Sequence, residues 1–178
     1  MKKLNKILLL LALITVSFAA NAQNMSDIRI NEFTVASDST GCIDDYGCKV
    51  AWIELFNTSY GTVDVAGCYL STDSENLKMH VFPKGSKSTK ILPRQHLLIY
   101  VDGCADKGPL HAGISFEGAK TIIFTSSDGR TVIDSAVIPS DLQPNQSYGR
   151  IVDGEGYAEN PSFAYMSSNI SKKIAAQQ

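Results

Sequence analysis

The chain has 178 residues, with 16 Lys and Arg against 18 Asp and Glu, a formal net charge of −2 and 44% hydrophobic residues. That length and apolar content support one domain with a real core, since a chain near ~150 residues buries ~70% of its unfolded surface. No stretch combines basic density with interleaved aromatics, which speaks against non-specific nucleic-acid binding, and no nucleic-acid partner is expected.

Residues 1–22 read as an export leader. Lys2, Lys3 and Lys6 form a basic start, Ile7 to Phe18 is almost continuously apolar, and Ala20-Asn21-Ala22 places small residues where a signal peptidase reads. The apolar run is shorter than the ~20 residues a membrane span needs, and no cysteine follows it to carry a lipid. The expected location is therefore periplasmic, cell-surface or extracellular, with no membrane span in the mature chain. Removing the leader leaves 156 residues and takes away three lysines and no acid, for a mature charge of −5.

Beyond the leader the apolar runs are short, rich in Ile, Val, Phe and Tyr, and broken by Gly, Pro, Asp and Ser, which is the pattern of strands and turns. Asp27 to Val35 reads as a first strand with Ile28 and Ile30 on one face. Val50 to Asn57 is a second, central strand holding the single tryptophan. Thr62 to Val65 and Cys68 to Ser71 flank a kink at Gly67, and Met79 to Phe82 ends at Pro83, whose missing N–H suits a strand terminus. Lys84 to Lys90 is a loop. His96 to Val101 is too continuously apolar for an edge strand. Ile114 to Phe116 is a short strand, and Thr121 to Thr125 with Thr131 to Ile138 form a hairpin across Ser126 to Arg130, where Gly129 supplies positive φ. Ser147 to Val152 closes the set. Eight or nine short strands without helices between them point to a sandwich or barrel over residues 23–166, followed by a flexible polar tail at 167–178.

All four cysteines, Cys42, Cys48, Cys68 and Cys104, follow the leader, and an even count in an exported chain reads as two disulfides. Three pairings are possible. The short loop favours Cys42–Cys48, leaving Cys68–Cys104, worth about 2–3 and about 4 kcal/mol on the chain-entropy model. A zinc site fails on spacing, because there is no Cys-x-x-Cys and no close histidine pair. No metal and no cofactor is expected.

The order Ile30-Asn31-Glu32-Phe33, Trp52-Ile53-Glu54-Leu55-Phe56-Asn57 and Val63-Asp64-Val65-Ala66-Gly67-Cys68-Tyr69-Leu70 resembles the lamin-tail domain family. Phe82-Pro83-Lys84-Gly85, the Leu92-Pro93 to Leu97 segment and the late Asp128-Gly129 to Asp134 hairpin continue that resemblance, which covers about residues 26 to 150. It implies an immunoglobulin-like β-sandwich without catalytic activity that serves as an interaction platform. The cysteine-bracketed segment from Cys42 to Cys48 is an addition to the family pattern, so eukaryotic partners are not carried over.

Several residue types in this sequence can carry chemistry. Glu32 and Glu54 lie in otherwise apolar strands, and alternation puts Glu54 on the face of Trp52 and Phe56. Two carboxylates poised for hydrolysis is one reading. Hydrogen-bonded residues of the fold pattern is the other, favoured by the resemblance. Asp38, Asp44 and Asp45 make an acidic loop that has oxygens enough for calcium but no recognised calcium spacing, and a solvated loop is the simpler reading. His80, His96 and His111 have no nucleophile placed beside them by any motif, so no catalytic residue is assigned. Tyr46 and Tyr60, with Asp44 and Asp45, are the binding candidates; Tyr148 is read as a core cap, and Tyr157 and Tyr165 fall at loops or strand ends. Asp38-Ser39-Thr40 and Asp134-Ser135-Ala136 resemble a short bacterial O-glycosylation pattern that would put sugar on Ser39 or Ser135.

The functional expectation is an exported, non-catalytic binding or scaffold module recognising a protein or cell-envelope component through loops at one end of the sandwich. The alternatives are a carbohydrate-binding sandwich and a small hydrolase using Glu32 and Glu54.

Overall fold

A computed structural model describes residues 24–38, 41–155 and 163–167. The expected leader, Ser39, Tyr157 and most of the expected tail lie outside the described residues. Twelve strands are present among them: β1 (Ile28–Thr34), β2 (Ala51–Asn57), β3 (Val63–Asp64), β4 (Tyr69–Ser71), β5 (His80–Val81), β6 (Lys90–Ile91), β7 (His96–Val101), β8 (His111–Ala112), β9 (Thr121–Thr125), β10 (Val132–Val137), β11 (Gln146–Arg150) and β12 (Phe163–Ser167). A large sheet has the order β12-β11-β1-β2-β7-β8, a second has β10-β9-β4-β5, and β3 pairs with β6 alone. All pairings are antiparallel except β7 with β8, which is parallel. The architecture is an all-β, immunoglobulin-like sandwich.

Alternation along the central strands builds the core. Ile53 and Leu55 of β2, with Leu97, Ile99 and Val101 of β7, point inward and meet Leu70, Phe82, Ile122 and Phe124 from the facing layer. The outer face of the large sheet is covered as well: Trp52, Leu98 and Tyr100 pack with Cys42 and Val50 under the loop that follows β1. β1 carries a bulge between Ile30 and Glu32. The extra residue re-aims the strand, so Ile28, Ile30 and Phe33 are all buried in the core while Asn31 and Glu32 face the other way.

The strands expected at residues 27–35, 50–57, 96–101 and 121–125 are present as β1, β2, β7 and β9, the first two a residue shorter at one or both ends, and β2 and β7 are interior. One expectation is corrected. Ile114 to Phe116 is not a strand; pairing falls three residues earlier, where His111 and Ala112 run parallel to Tyr100 and Val101. Ile114 is buried all the same, because it drops into the core beyond the strand end. β6 lies at the end of the expected loop, where Lys90 and Ile91 pair with Asp64 and Val63. β12, unforeseen, pairs with β11.

His80 is buried on β5 against Phe82, with ring centroids 5.4 Å apart. Its Nδ1 accepts the N–H of Gly113 at 3.2 Å, which makes Nε2 the protonated nitrogen of a neutral ring. Burial lowers its pKa below the ordinary value of 6.5. The unfolded chain therefore takes up the proton first. Stability is full above the unfolded pKa and falls as the pH drops through it, by up to about 1.4 kcal/mol per pH unit. Urea unfolding followed from about pH 7.5 to about pH 5 should show this loss, and His80→Gln should flatten it; an unchanged slope in the variant would assign the loss elsewhere.

Candidate functional site

At one end of the sandwich the segment between β1 and β2 meets the connection between β7 and β8. Asp44 builds the first segment from within. Its Oδ1 accepts the backbone N–H groups of Tyr46 at 3.0 Å and Cys48 at 2.7 Å, the bonding by which Asp closes a tight turn. Gly47, at φ 79°, gives the turn its left-handed step. The second segment carries Asp102, whose Oδ1 accepts the N–H of Cys104 at 3.0 Å, and a 3-10 turn, Ala105–Lys107.

Lys107 joins the two. Its ammonium lies 3.2 Å from Asp44 Oδ2 and 2.9 Å from Asp102 Oδ2, and 5.4 Å from the centre of the Tyr46 ring. The Tyr46 hydroxyl donates to the Lys107 carbonyl at 2.7 Å. His111 stands behind, with Nδ1 2.9 Å from Asp102 Oδ2 and its ring between Tyr46 and Tyr100 at 5.6 and 5.0 Å. His111 Nε2 faces the exposed Asp45 carboxylate at 3.9 Å.

The electrostatics follow from this bonding. Burial pushes the Asp44 carboxyl upward, but the Cys48 N–H and the Lys107 ammonium outweigh it and hold the pKa below the ordinary carboxylate value. Asp102 is held low in the same way, with Lys107 and His111 overcoming burial. Lys107 is raised, chiefly by its bond to Asp102. Burial raises Tyr100, helped by Asp45. The arrangement is an ion cluster that clamps two loops.

Asp44, Asp102 and His111 place one ligand atom each within 4.8 Å of one another, a spacing compatible with a metal ion. Lys107 already supplies one cation shared by both carboxylates. The three loop acids considered for calcium do not converge. Asp44 turns inward, the Asp45 side chain is 67% exposed, and Asp38 pairs with Asn145.

Beside this clamp opens a cleft of about 690 Å³, within the size range of ligand pockets. Val35 and Ala36 beyond β1, and Ile114 and Phe116 beyond β8, give it apolar walls, while Lys49, Asp102, Lys107 and Glu117 bring charges of both signs.

The other candidates fall elsewhere. Tyr60 is 91% exposed on the turn after β2, at the far end of the sheet from Tyr46; seven residues of strand separate the ends by about 20 Å. Glu32 and Glu54 do come together, directly opposite across β1 and β2. Both are buried: Glu54 accepts from Asn31 Nδ2 at 2.8 Å and Glu32 from the Ser147 hydroxyl. Gly149 crosses over Glu32 so closely that a Cβ there would sit 2.7 Å from Glu32 Cγ. Neither carboxylate lines the cleft. His96 closes this face, 3.7 Å from Glu54 and 3.1 Å from Asp153. Tyr148 packs edge-on against Phe33 at 5.9 Å as a core cap, and Tyr165 donates to Asp141 at 2.6 Å. Ser135 stands on β10 next to a buried Asp134, whose carboxylate is engaged inside the protein.

All four cysteines are free thiols in this structure. Cys42 and Cys48 share one face of a small hairpin, but Cys42 lies opposite Val50 and Cys48 opposite Asp44. Such diagonal neighbours have Cα atoms ~7–8 Å apart, above the usual ~4.4–6.8 Å of a bridge, so pairing them needs a shift of the loop. Cys68 and Cys104 are not brought together. Cys68 touches Met25 at the start of β1, and Cys104 follows Asp102 beside the cleft at its end. Burial pushes the Cys42 and Cys68 thiols up to about 11.

Three members of the clamp, Asp102, Lys107 and His111, did not stand out as a site in the sequence. The signal available was a cluster of charge around Gly103 and Gly108, which reads as an ordinary polar loop.

Replacing Asp44 by Ala strands two backbone N–H donors and should cost about 1–2 kcal/mol in urea unfolding, with faster hydrogen exchange at Cys48. Asp44→Asn, which keeps an acceptor, should cost less. Because the Asp44 pKa is depressed in the folded state, its contribution is present above the unfolded value of ~3.9 and is lost as the pH falls below it. A D44A protein with an unchanged midpoint and an unchanged Cys48 amide would contradict the clamp.

Comparison with known proteins rests on one match. A family model described as Lamin Tail Domain covers residues 21–140, about two thirds of the chain. No curated relative and no solved structure matches. The chain belongs to the lamin tail domain family.

Proposed function

We propose that this protein is an exported, non-catalytic binding module that recognises a protein of the cell envelope through the cleft beside the Asp44–Lys107–Asp102 clamp. The cleft carries the proposal. It combines apolar walls at Val35, Ile114 and Phe116 with charges of both signs at Lys49, Lys107, Asp102 and Glu117. Such a lining suits a peptide segment with an apolar anchor and polar flanks better than a uniformly charged or uniformly apolar ligand. Family membership supports an interaction role. The clamp supports a prearranged site, because it fixes two of the cleft-forming loops to each other before any ligand arrives.

The two alternatives draw less support. Tyr46 and Tyr60 lie at opposite ends of β2 and so provide no joint stacking platform for a sugar. Glu32 and Glu54 are buried and bonded under β11 and the turn after it. Export rests on the basic, apolar and small-residue segments of residues 1–22; an intact mass corresponding to a chain starting at Gln23 would support it.

A photo-crosslinking side chain placed at Ser115 or Glu117 in producing cells should yield a discrete protein adduct. The same group at Ser127, on the exposed turn between β9 and β10 at the far end of β9 from the cleft, should not. Phe116→Arg combined with the Ser115 crosslinker should remove the adduct. Equal adducts from both places, or retention of the protein on polysaccharide gels that Phe116→Arg abolishes, would overturn the reading.

A further inference from the structure

The end of the sandwich opposite the cleft is built from different chemistry. From Asn76 to Tyr100 the chain carries Lys78, Lys84, Lys87, Lys90 and Arg94 and not one acid, although acids outnumber bases in the whole chain, 18 to 16. All five cationic residues are exposed. Folding gathers most of them at one tip. Lys84 lies against Gly67 and Lys78 against Gly129, on either side of the turn between β9 and β10. Lys87 and Lys90 flank a shallow depression of about 250 Å³ shared with Leu92, Gln95 and His96.

The point of this tip is rigid and apolar. Asn57, at the end of β2, is fully buried. Its Nδ2 donates to the carbonyls of Gly61 at 2.7 Å, Ile91 at 3.0 Å and Leu92 at 3.1 Å, while its Oδ1 accepts from the Ser59 N–H and hydroxyl. One side chain thereby ties the turn after β2 to the segment before β7. Arg94 adds a bond to the Thr58 carbonyl at 3.2 Å and lies 4.9 Å from the centre of the Phe56 ring. What these bonds hold out to solvent is Tyr60, 91% exposed, and Leu92, 58% exposed; Lys87 and Lys90 border the same depression as Leu92, and Arg94 is bonded to the turn that carries Tyr60. The acids at this end have partners of their own: Asp64 Oδ1 accepts the Ala66 N–H and the Thr89 hydroxyl, Asp128, next to the Gly129 that Lys78 covers, accepts the N–H groups of Arg130 and Thr131, and Asp153 faces His96.

We propose that this tip docks the protein on an anionic lipid surface, with Tyr60 and Leu92 entering the headgroup layer and Lys87, Lys90 and Arg94 meeting lipid phosphates. An aromatic with a polar end and an aliphatic side chain, beside long cationic side chains, is the composition that partitions into a membrane interface. Each Lys or Arg close to an anionic leaflet strengthens that attraction by about fivefold. A nucleic acid fits less well, because it would track past the tip onto a body that is otherwise acidic. The opposed ends make the orientation definite: with the tip on the lipid, the cleft faces away from it. This surface is separate from the cleft and does not depend on what the cleft binds.

The test is co-sedimentation of the purified protein with vesicles of phosphatidylcholine and phosphatidylglycerol, against vesicles of phosphatidylcholine alone. Retention should require the anionic lipid and weaken with added salt. Neutralising the cations with Lys87→Gln, Lys90→Gln and Arg94→Gln should weaken it by about a hundredfold. Tyr60→Ser with Leu92→Ser should weaken it at constant charge. All five positions are exposed, so an unchanged near-ultraviolet signal from Trp52 should confirm that the variants are folded. Equal retention on both vesicle types, retention unaffected by either set of substitutions, or stronger binding to a duplex DNA fragment than to the vesicles would overturn the proposal. A protein that binds vesicles through the tip but gives no adduct from Ser115 would leave the lipid reading standing and remove the cleft reading.

Discussion

The two layers of this sandwich are joined by one buried ion pair at the β1 bulge. Asp134 of β10 and Arg150 of β11 are 1% and 2% exposed, with Arg150 Nη2 2.8 Å from Asp134 Oδ2. The same carboxylate oxygen accepts the N–H of Ile30 at 2.8 Å, and Arg150 Nε donates to the Ile30 carbonyl at 3.0 Å. Both backbone groups of Ile30 thus find partners at the point where the bulge interrupts the ladder. Burial holds the Asp134 pKa above the ordinary carboxylate value, while Arg150 and the Ile30 N–H pull against it. Taking two charges out of water is costly. The pair therefore adds little net stability over an apolar substitute, yet loss of one partner leaves a bare buried charge, worth about 3–5 kcal/mol. Its service is to specify one register between the layers.

The rest of the molecule depends on that register. With Ile30 pinned, Asn31 turns outward, bonding Glu54 and Asp153, and its carbonyl oxygen accepts the Gly154 N–H. Those bonds seat the turn after β11 over the buried carboxylates, which explains why Glu32 and Glu54 face each other without a cleft above them. Along the neighbouring strand the consequences diverge by end. The start of β2 stands under the acidic clamp and the cleft, and its far end, through Asn57, organises the basic tip. A single rigid strand thereby holds two chemically opposed surfaces about 20 Å apart.

How much of this the sequence disclosed follows from the range of the interactions. β2, β7 and β9 are long enough for alternation and β-branched content to mark them, and they fall where expected. β5, β6 and β8 have two residues each and carry no periodicity; β8 exists only because Tyr100 and Val101 are there to pair with it. Asp44 and Asp45 were legible as an unusual local concentration of acid. Their partners Asp102, Lys107 and His111 come from a segment more than fifty positions away and acquire meaning only on folding. Tyr46 and Tyr60 were grouped by chemistry, whereas the fold sends them to opposite ends. Asp134 was visible as the last residue of a family hairpin, but nothing marked Arg150 as its partner, since one arginine in a polar strand reads as surface.

The central claim is that the Asp134–Arg150 pair sets the register of the two layers. The most direct measurement is a double-mutant cycle in urea unfolding, with Asp134→Asn, Arg150→Met and both together. Each single variant should lose about 3–5 kcal/mol, and the double variant should lose clearly less than the sum, because the second change removes the charge the first one stranded. Single losses below about 0.5 kcal/mol, or losses that simply add, would show that the layers hold their register without it.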